Sequence, residues 1–274
     1  HTTDLAMITD TSVAIIKTLC KNKYLEIIEK QVERDPLKNK NIIKTSNLKL
    51  NEEQQNAYNK IADSIDDYMN SEFLIYGVTG SGKTEIYMQL IQKVLEMGKT
   101  SIILVPEISL TPQTVDRFIS RFGQDKIAVL HSKLSNGERY DQWCKIKKGQ
   151  AKIIIGARSA IFAPVNDLGI IIIDEEHDSS YKSEMTPRYN VKQIAKYIAQ
   201  KASIPLVYGS ATPEMDTYYK AKKGEIELLE LTKRANNSKL PNIEIVDLRQ
   251  ELANGNRSMI SSKLYDYIDE NLKN

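Results

Sequence analysis

Gly77-Val78-Thr79-Gly80-Ser81-Gly82-Lys83-Thr84 sits between an apolar run, Phe73 to Tyr76, and a stretch with helical spacing. The string fits G-x-x-x-x-G-K-[ST], and a strand before it with a helix behind it is the context that motif needs. Glycines at 77, 80 and 82 let successive backbone N–H groups turn toward phosphate oxygens. The helix starting near Lys83 adds its N-terminal partial positive charge. Lys83 is placed to reach the β- and γ-phosphates, and the Thr84 hydroxyl to ligate magnesium.

A phosphate holder becomes a hydrolysis site when an acidic residue ends a neighbouring apolar strand. Asp174 emerges from four isoleucines in GIIIIDEEHD and is placed to hold magnesium. Glu175 is then placed to orient and deprotonate an attacking water. A solvated acidic turn would account for the charges but not for their position at the tip of a buried strand. The two motifs together point to an ATPase more than to a small-molecule kinase, which has less need of a glutamate beside the magnesium aspartate.

The elements that must position these groups are legible from Leu50 onward. NEEQQNAYNKIADSIDDYM is helical, and then short apolar strands alternate with amphipathic helices. The strands are FLIYGV, SIILVPE, KIAVLH, AKIIIGA, GIIIIDEEH and PLVYGSAT, with extended stretches EIELLEL and NIEIVDL and a helix SSKLYDYIDENLKN after them. Strands apolar throughout and spaced by helices predict an α/β fold, a parallel β-sheet with helices on both faces. Right-handed crossovers put the strands' C-terminal ends, and hence both motifs, on one edge.

Before that region, DTSVAIIKTLCKNK has Val13, Ile16 and Leu19 at helical spacing, and YLEIIEKQVERDP reads as extended. A helix followed by a ribbon suits the back half of a winged-helix unit or a simple packing appendage equally well. Leu37–Asn47 is polar, lysine-rich and unpatterned, as a linker would be.

Composition narrows the classes further. The 274 residues are 41% hydrophobic and 27% charged, with a formal net charge of only +2, so nucleic-acid contacts would have to come from a local patch. Cys20 and Cys144 lie far apart without metal-type spacing and read as free thiols in a reducing cytosol. No apolar run approaches the roughly 18 residues needed to span a bilayer, and the N-terminus is not a signal peptide. The chain begins at His1, which we read as the mark of a fragment or processed chain.

Asp174-Glu175-Glu176-His177 and Gly209-Ser210-Ala211-Thr212-Pro213 resemble motifs II and III of superfamily-2 DExH helicases. LVPEISLTPQ (104–113), LHSKLSNGERYDQW (130–143), IGARSAIFAPVNDLGIIIIDEEHDSSYK (155–182) and PRYNVKQIA (187–195) narrow the resemblance. They are similar, in order, to strings of the bacterial replication-restart helicases, the PriA or primosomal protein N′ family. The resemblance runs from about Leu50 to Arg249.

The resemblance implies a RecA-like P-loop lobe that binds ATP and Mg2+, with Gln54 as the adenine-reading glutamine. An amide can pair with both the amino group and a ring nitrogen of adenine, but spacing alone does not choose between Gln54 and Gln55. It further implies that His177, Ser210 and Thr212 couple hydrolysis to movement of a second lobe. Thr111, Gln113, Arg158 and Ser159 would touch the backbone of single-stranded DNA, contacts that carry no sequence information. The family usually has threonine where this chain has Ala157, which puts one such contact in doubt. HDSSYKSEMTPRYN resembles the family's aromatic-rich loop, so Tyr181 and Tyr189 would offer stacking faces, with Lys182 and Arg188 as cations. Without the resemblance the loop would read as an ordinary surface loop with two tyrosines.

About 60 residues lie beyond Pro213, too few for a second ATPase lobe. The family's zinc-binding cysteine cluster and N-terminal DNA-binding domain have no counterpart in the sequence, so zinc is expected only in the remainder of a parent protein. We therefore expect a fragment centred on the first helicase lobe: 1–37 a partial winged-helix-like segment, 38–48 a linker, 49–235 the ATP-binding lobe, and 236–274 an extension toward the second lobe. The parent would be a cytoplasmic, nucleoid-associated 3′-to-5′ DNA helicase acting on single-stranded and fork DNA with primosome proteins and single-stranded-DNA-binding protein. The fragment would hold ATP and hydrolyse it poorly. A duplex translocase that does not unwind, or an ATP-gated scaffold for primosome partners, are the rival readings.

Overall fold

Alternation within the apolar runs decides which side of a sheet each residue covers. In the computed structural model, which describes residues 2–27, 43–235 and 243–273, these runs become β1 (Glu72–Gly77), β2 (Thr100–Leu104), β3 (Ile127–Leu130), β4 (Ile153–Gly156) and β5 (Leu168–Asp174). Two two-residue strands, β6 (Lys182–Ser183) and β7 (Tyr189–Asn190), form an antiparallel pair of their own. β8 (Leu206–Ser210) and β9 (Glu227–Leu231) complete the main sheet. It has seven strands in the order β3-β4-β2-β5-β8-β1-β9, all pairings parallel.

Helices cover both faces, as the expected parallel α/β sheet requires. α1 (Thr2–Ile8) and α2 (Val13–Lys21) precede the sheet and pack on each other. α3 (Glu52–Asp66), α4 (Lys83–Glu96) and α5 (Pro112–Phe122) cover one face; Ile61, Ile91 and Phe118 meet Ile75, Ile103, Ile155 and Ile172 there. α6 (Asn136–Lys147), α7 (Val191–Ala202) and α8 (Met215–Lys222) serve the other face, where Ile146, Ala195, Ala199 and Ala221 join Leu74, Ile102, Ile154 and Ile171. Ile170 to Ile173 of β5 are all fully buried, two to each face. Burying each such side chain contributes about 1.5–3 kcal/mol, so β5 is anchored firmly up to the residue where its charge begins.

Local chemistry starts and stops these helices. Asn51 and Gln54 form a reciprocal capping box on α3, and Ser135 with Glu138 does the same for α6. Thr111 caps α5 with Pro112 at its first position, and Gly123 ends it.

The helix expected after Asp10 is α2, whereas α1 was not anticipated. Tyr24–Ile27 carry no strand, and residues 28–36 of the expected ribbon lie outside the described residues. The latter part of the predicted linker is not loose. Thr45 N–H donates to Ser120 O at 3.0 Å and Leu48 N–H to Glu85 Oε1 at 3.0 Å, laying residues 45–48 along α4 and α5.

Residues from Ala235 form a separate unit with α9 (Leu248–Ala253) and α10 (Ser262–Lys273). NIEIVDL was expected to be extended structure; residues 243–247 form no strand, and α9 begins at Leu248. Ile243 and Ile245 are exposed, with no strand of that unit among the described residues to pair with, and the Asp247 carboxylate caps the helix by accepting from Arg249 N–H.

Candidate functional site

Strand order brings the motifs together. β5, β8 and β1 are neighbours, with Asp174 in register with Gly209 and Ser210 with Tyr76, one residue before Gly77. The ends of the three strands that carry the phosphate loop, the acidic box and the Ser-Ala-Thr segment therefore lie side by side on the C-terminal edge of the sheet.

Gly80 and Gly82 have φ of +81° and +86°, a conformation that disfavours any residue with a Cβ. Gly77 is required for space instead: a Cβ there would lie 2.5 Å from Ser81 Oγ. Val78 and Thr79 form the exposed crest of the loop. Lys83 is buried and donates from Nζ to Gly77 O at 2.9 Å, so its ammonium is held beneath the loop. Thr84 follows in the first turn of α4.

Gln54 and Gln55 part company. Gln54 is buried, donates from Nε2 to Ser81 O at 2.7 Å, and accepts from Asn51 N–H at 2.9 Å. Gln55 is on the outside of α3, bonded to Asn59. The glutamine beside the phosphate loop is thus Gln54, although its amide is engaged on both ends.

Asp174 accepts from Tyr87 Oη at 3.0 Å through Oδ1, and its backbone carbonyl accepts from Tyr181 Oη at 2.6 Å. Burial, and then the adjacent Glu175 charge, push the Asp174 carboxyl up to about 6, against the pull of Tyr87 and Lys83. A buried carboxylate with a second negative charge beside it fits a cation. With the Thr84 hydroxyl and the left-handed glycine cradle, the donor set suits a magnesium-bound triphosphate. Glu175 has φ of +44°, a left-handed conformation that costs a non-glycine residue about 1–3 kcal/mol. Glu176 N–H to Gly209 O at 3.0 Å and Asp178 N–H to Glu175 O at 2.9 Å hold the turn.

His177 spans the strands: Nδ1 is 2.8 Å from Ser210 Oγ and Nε2 is 3.4 Å from Thr212 Oγ1. Ser210 Oγ also accepts from Thr212 N–H at 3.0 Å. Three residues expected to act together are therefore in one hydrogen-bonded group.

The expected DNA-facing residues divide. Tyr181 requires a correction: it is 1% exposed and packed in the core, with its hydroxyl on Asp174, so it presents no face to a base. The aromatic-loop pattern hid the fact that an apolar ring a few residues after a strand-end turn can fold back under that strand. Tyr189 is half-buried, edge-on to the exposed Phe162 with centroids 5.2 Å apart. Arg158 Nη1 donates to Ser180 O and Lys182 O at 3.2 and 3.0 Å, fastening the loop. Thr111, Gln113 and Ser159 are exposed, Lys182 pairs with Glu214 at 2.9 Å, and Arg188 Nε donates to Glu184 O at 3.2 Å.

Two participants were missed. Tyr87 lies one helical turn past Lys83, and that spacing could have flagged it. Glu176 is fully buried and accepts from Lys192 Nζ at 2.6 Å, Glu214 N–H at 2.6 Å and Thr217 Oγ1 at 3.0 Å. Its charge is compensated by a lysine whose partner no local pattern reveals.

The chain matches the sequence model of the family described as type III restriction enzyme, res subunit, over residues 47–215. It is 51% identical over 269 residues to the Replication restart protein PriA of Bacillus subtilis, covering 98% of this chain and 33% of that protein. To the Replication restart protein PriA of Synechocystis sp. it is 46% identical over 204 residues, 73% of this chain and 24% of that protein. It thus spans about a third or less of the length of these curated relatives. Among solved structures, RecG bound to a three-way DNA junction superposes with a TM-score of 0.51 at 22% identity, over 76% of this chain and 28% of that one. That likeness is one of fold: the seven-stranded parallel sheet with its helices is a RecA-like P-loop lobe. No helix among the described residues is long and apolar enough to cross a membrane.

Proposed function

Because this chain belongs to the res-subunit family and, within it, to the PriA replication restart proteins, we propose that it is the ATP-binding lobe of an ATP-dependent 3′-to-5′ DNA helicase that restarts replication at stalled forks. The observation that carries this reading is the convergence of Lys83, Asp174 and the His177–Ser210–Thr212 group on one sheet edge. A phosphate grip, a buried carboxylate and a hydrogen-bonded relay between strand ends are what a motor lobe needs.

In this reading the phosphate-loop amides and Lys83 grip the triphosphate, and Thr84 with Asp174 would hold magnesium, which supplies charge neutralisation on the β- and γ-phosphates. Glu175 orients and takes a proton from the attacking water. Gln54 reads adenine, which requires its amide to exchange a bond to the chain for one to the base. Thr111, Gln113, Arg158, Ser159, Lys182, Arg188 and Tyr189 contact single-stranded or fork DNA. Residues 1–37, 38–48, 49–235 and 236–274 divide as winged-helix-like segment, linker, lobe and extension. The parent acts in the bacterial cytoplasm with primosome proteins.

Strand displacement by the whole protein on a forked substrate tests the reading. ATP-dependent unwinding with 3′-to-5′ polarity, abolished by Lys83→Ala, is expected. The res-subunit description of the family favours one second reading, a motor that moves on duplex without unwinding. Triplex displacement without strand separation would select it.

A further inference from the structure

We propose that Tyr87 is a positioning residue for the hydrolysis site, holding the Asp174 carboxylate in a single orientation, and that Gly209 is glycine in order to admit it. The inference rests on the reading of Asp174 as the magnesium-side carboxylate.

Two independent observations carry it. First, Tyr87 is fully buried among apolar side chains of the first sheet face, where a phenylalanine would fill the same space. Its hydroxyl is not needed for packing, and a buried hydroxyl requires a partner. That partner is Asp174 Oδ1 at 3.0 Å. Second, Gly209 lies within β8 with no positive φ to require glycine. A glycine inside a strand weakens it, so space must be the reason. A Cβ on Gly209 would fall 1.6 Å from Tyr87 Oη, 2.9 Å from Tyr87 Cζ and 3.2 Å from Asp174 Oδ1. The absent methyl is the volume that the phenol hydroxyl occupies on its way to the carboxylate.

Mechanically, Tyr87 sits one turn beyond Lys83 on α4, Asp174 ends β5, and Gly209 precedes Ser210 on β8. One hydroxyl is therefore the point where the phosphate-loop helix, the acidic box and the Ser-Ala-Thr segment touch. With Oδ1 engaged by the phenol, the other carboxylate oxygen is the one that would be left to hold a cation. Partners of this kind orient ligating carboxylates, and their loss costs about 10–100-fold in metal affinity or activity. A displacement of Ser210 would also move the Gly209 Cα against the phenol and so reach Asp174 without passing through His177.

The test is equilibrium binding of ATP to the whole chain, with excess Mg2+ and with EDTA, alongside thermal unfolding. Tyr87→Phe is expected to keep the EDTA affinity within about twofold and to lose about tenfold of the strengthening that Mg2+ gives. Gly209→Ala is expected to lose it as well, and the double variant to be no worse than Gly209→Ala, since phenylalanine lacks the oxygen at 1.6 Å and leaves only the milder overlap with Cζ at 2.9 Å. Full Mg2+ strengthening in Tyr87→Phe overturns the inference, as do additive losses in the double variant. Should Gly209→Ala not fold, Tyr87→Phe decides alone. Asp174→Asn separates the two readings. If it too keeps the Mg2+ strengthening, the assignment of Asp174 is what fails; if it loses it while Tyr87→Phe does not, the failure is confined to Tyr87.

Discussion

The imidazole of His177 lies 2.8 Å from Ser210 Oγ, so a side chain just past β5 is hydrogen-bonded to the last residue of β8. The second ring nitrogen reaches toward Thr212 Oγ1 at 3.4 Å, and Glu175 Oε2 is 3.7 Å from Nδ1. A neutral imidazole donates from one nitrogen and accepts at the other. It can therefore transmit a shift of the Ser210–Thr212 segment to the turn that carries Glu175.

Breaking that relay should separate binding from turnover. Ser210→Ala removes the hydroxyl that bonds His177 Nδ1 and accepts from Thr212 N–H, two bonds of about 0.5–1.5 kcal/mol each, without touching the phosphate loop. In the whole protein, DNA-stimulated ATP hydrolysis should fall about three- to tenfold, with ATP affinity unchanged. A stimulated rate equal to the parent's would rule out Ser210 as part of the relay.

Lys83 makes the opposite prediction. Among the described residues its ammonium bonds a backbone carbonyl of its own loop, so little of the fold depends on it. Lys83→Ala should weaken ATP binding by tenfold or more, because charge-assisted bonds contribute about 1.5–3 kcal/mol. The melting temperature without nucleotide should move by no more than about 4 °C. Calorimetry of the two proteins with and without ATP checks both halves.

Gln54 and Gln55, indistinguishable by spacing, should differ sharply on substitution. Gln54→Ala removes the N3 half of the capping box and the bond to Ser81 O, a loss of about 1 kcal/mol in stability. It should also erase the preference for ATP over GTP. Gln55→Ala, which loses one exposed bond to Asn59, should change neither. A competition titration with both nucleotides reads the outcome directly, and equal behaviour of the two variants would reject the assignment.

The sheet and the phosphate loop were legible because their signals are local. Glycines at 80 and 82 and the isoleucines 170–173 each declare their conformation or burial within a few residues. Tyr181 was misread for a related reason: aromatic residues in a polar loop look exposed until the register of β5 and β8 shows the space beneath Asp174. Tyr87 and Gly209 are 122 positions apart in the chain, and their fit exists only once β8 is laid beside β5 and α4 is packed over both. NIEIVDL, read as extended, joins no sheet among the described residues of its unit, because alternation specifies a face while a strand also needs a neighbour.

The strap formed by residues 45–48 gives the remaining prediction, and here the sign follows from the charge of Glu85. Its carboxylate takes both Arg121 nitrogens, Nη1 at 3.1 Å and Nη2 at 2.9 Å, and also accepts from Leu48 N–H at 3.0 Å. Both side chains of this pair are largely buried. Burial pushes the Glu85 carboxyl up, but Arg121, Gln89 and the Leu48 amide outweigh it and leave it below its ordinary value of 4.5. A carboxyl depressed on folding contributes stability that is fully present above the unfolded value and is lost as pH falls through the folded one. The parent chain should therefore lose stability below about pH 4.5. Glu85→Gln, with nothing to titrate there, should decline less steeply over that interval from a lower starting point at pH 7. Arg121→Ala should be the most damaging, at about 3–5 kcal/mol, because it takes the countercharge from a buried carboxylate and leaves it with the Leu48 amide and Gln89. Melting temperatures from pH 3 to 7 for the three chains decide the matter, with amide exchange at Leu48 as the local readout. Parallel pH profiles for parent and Glu85→Gln would show that the strap is held by something other than this ion pair.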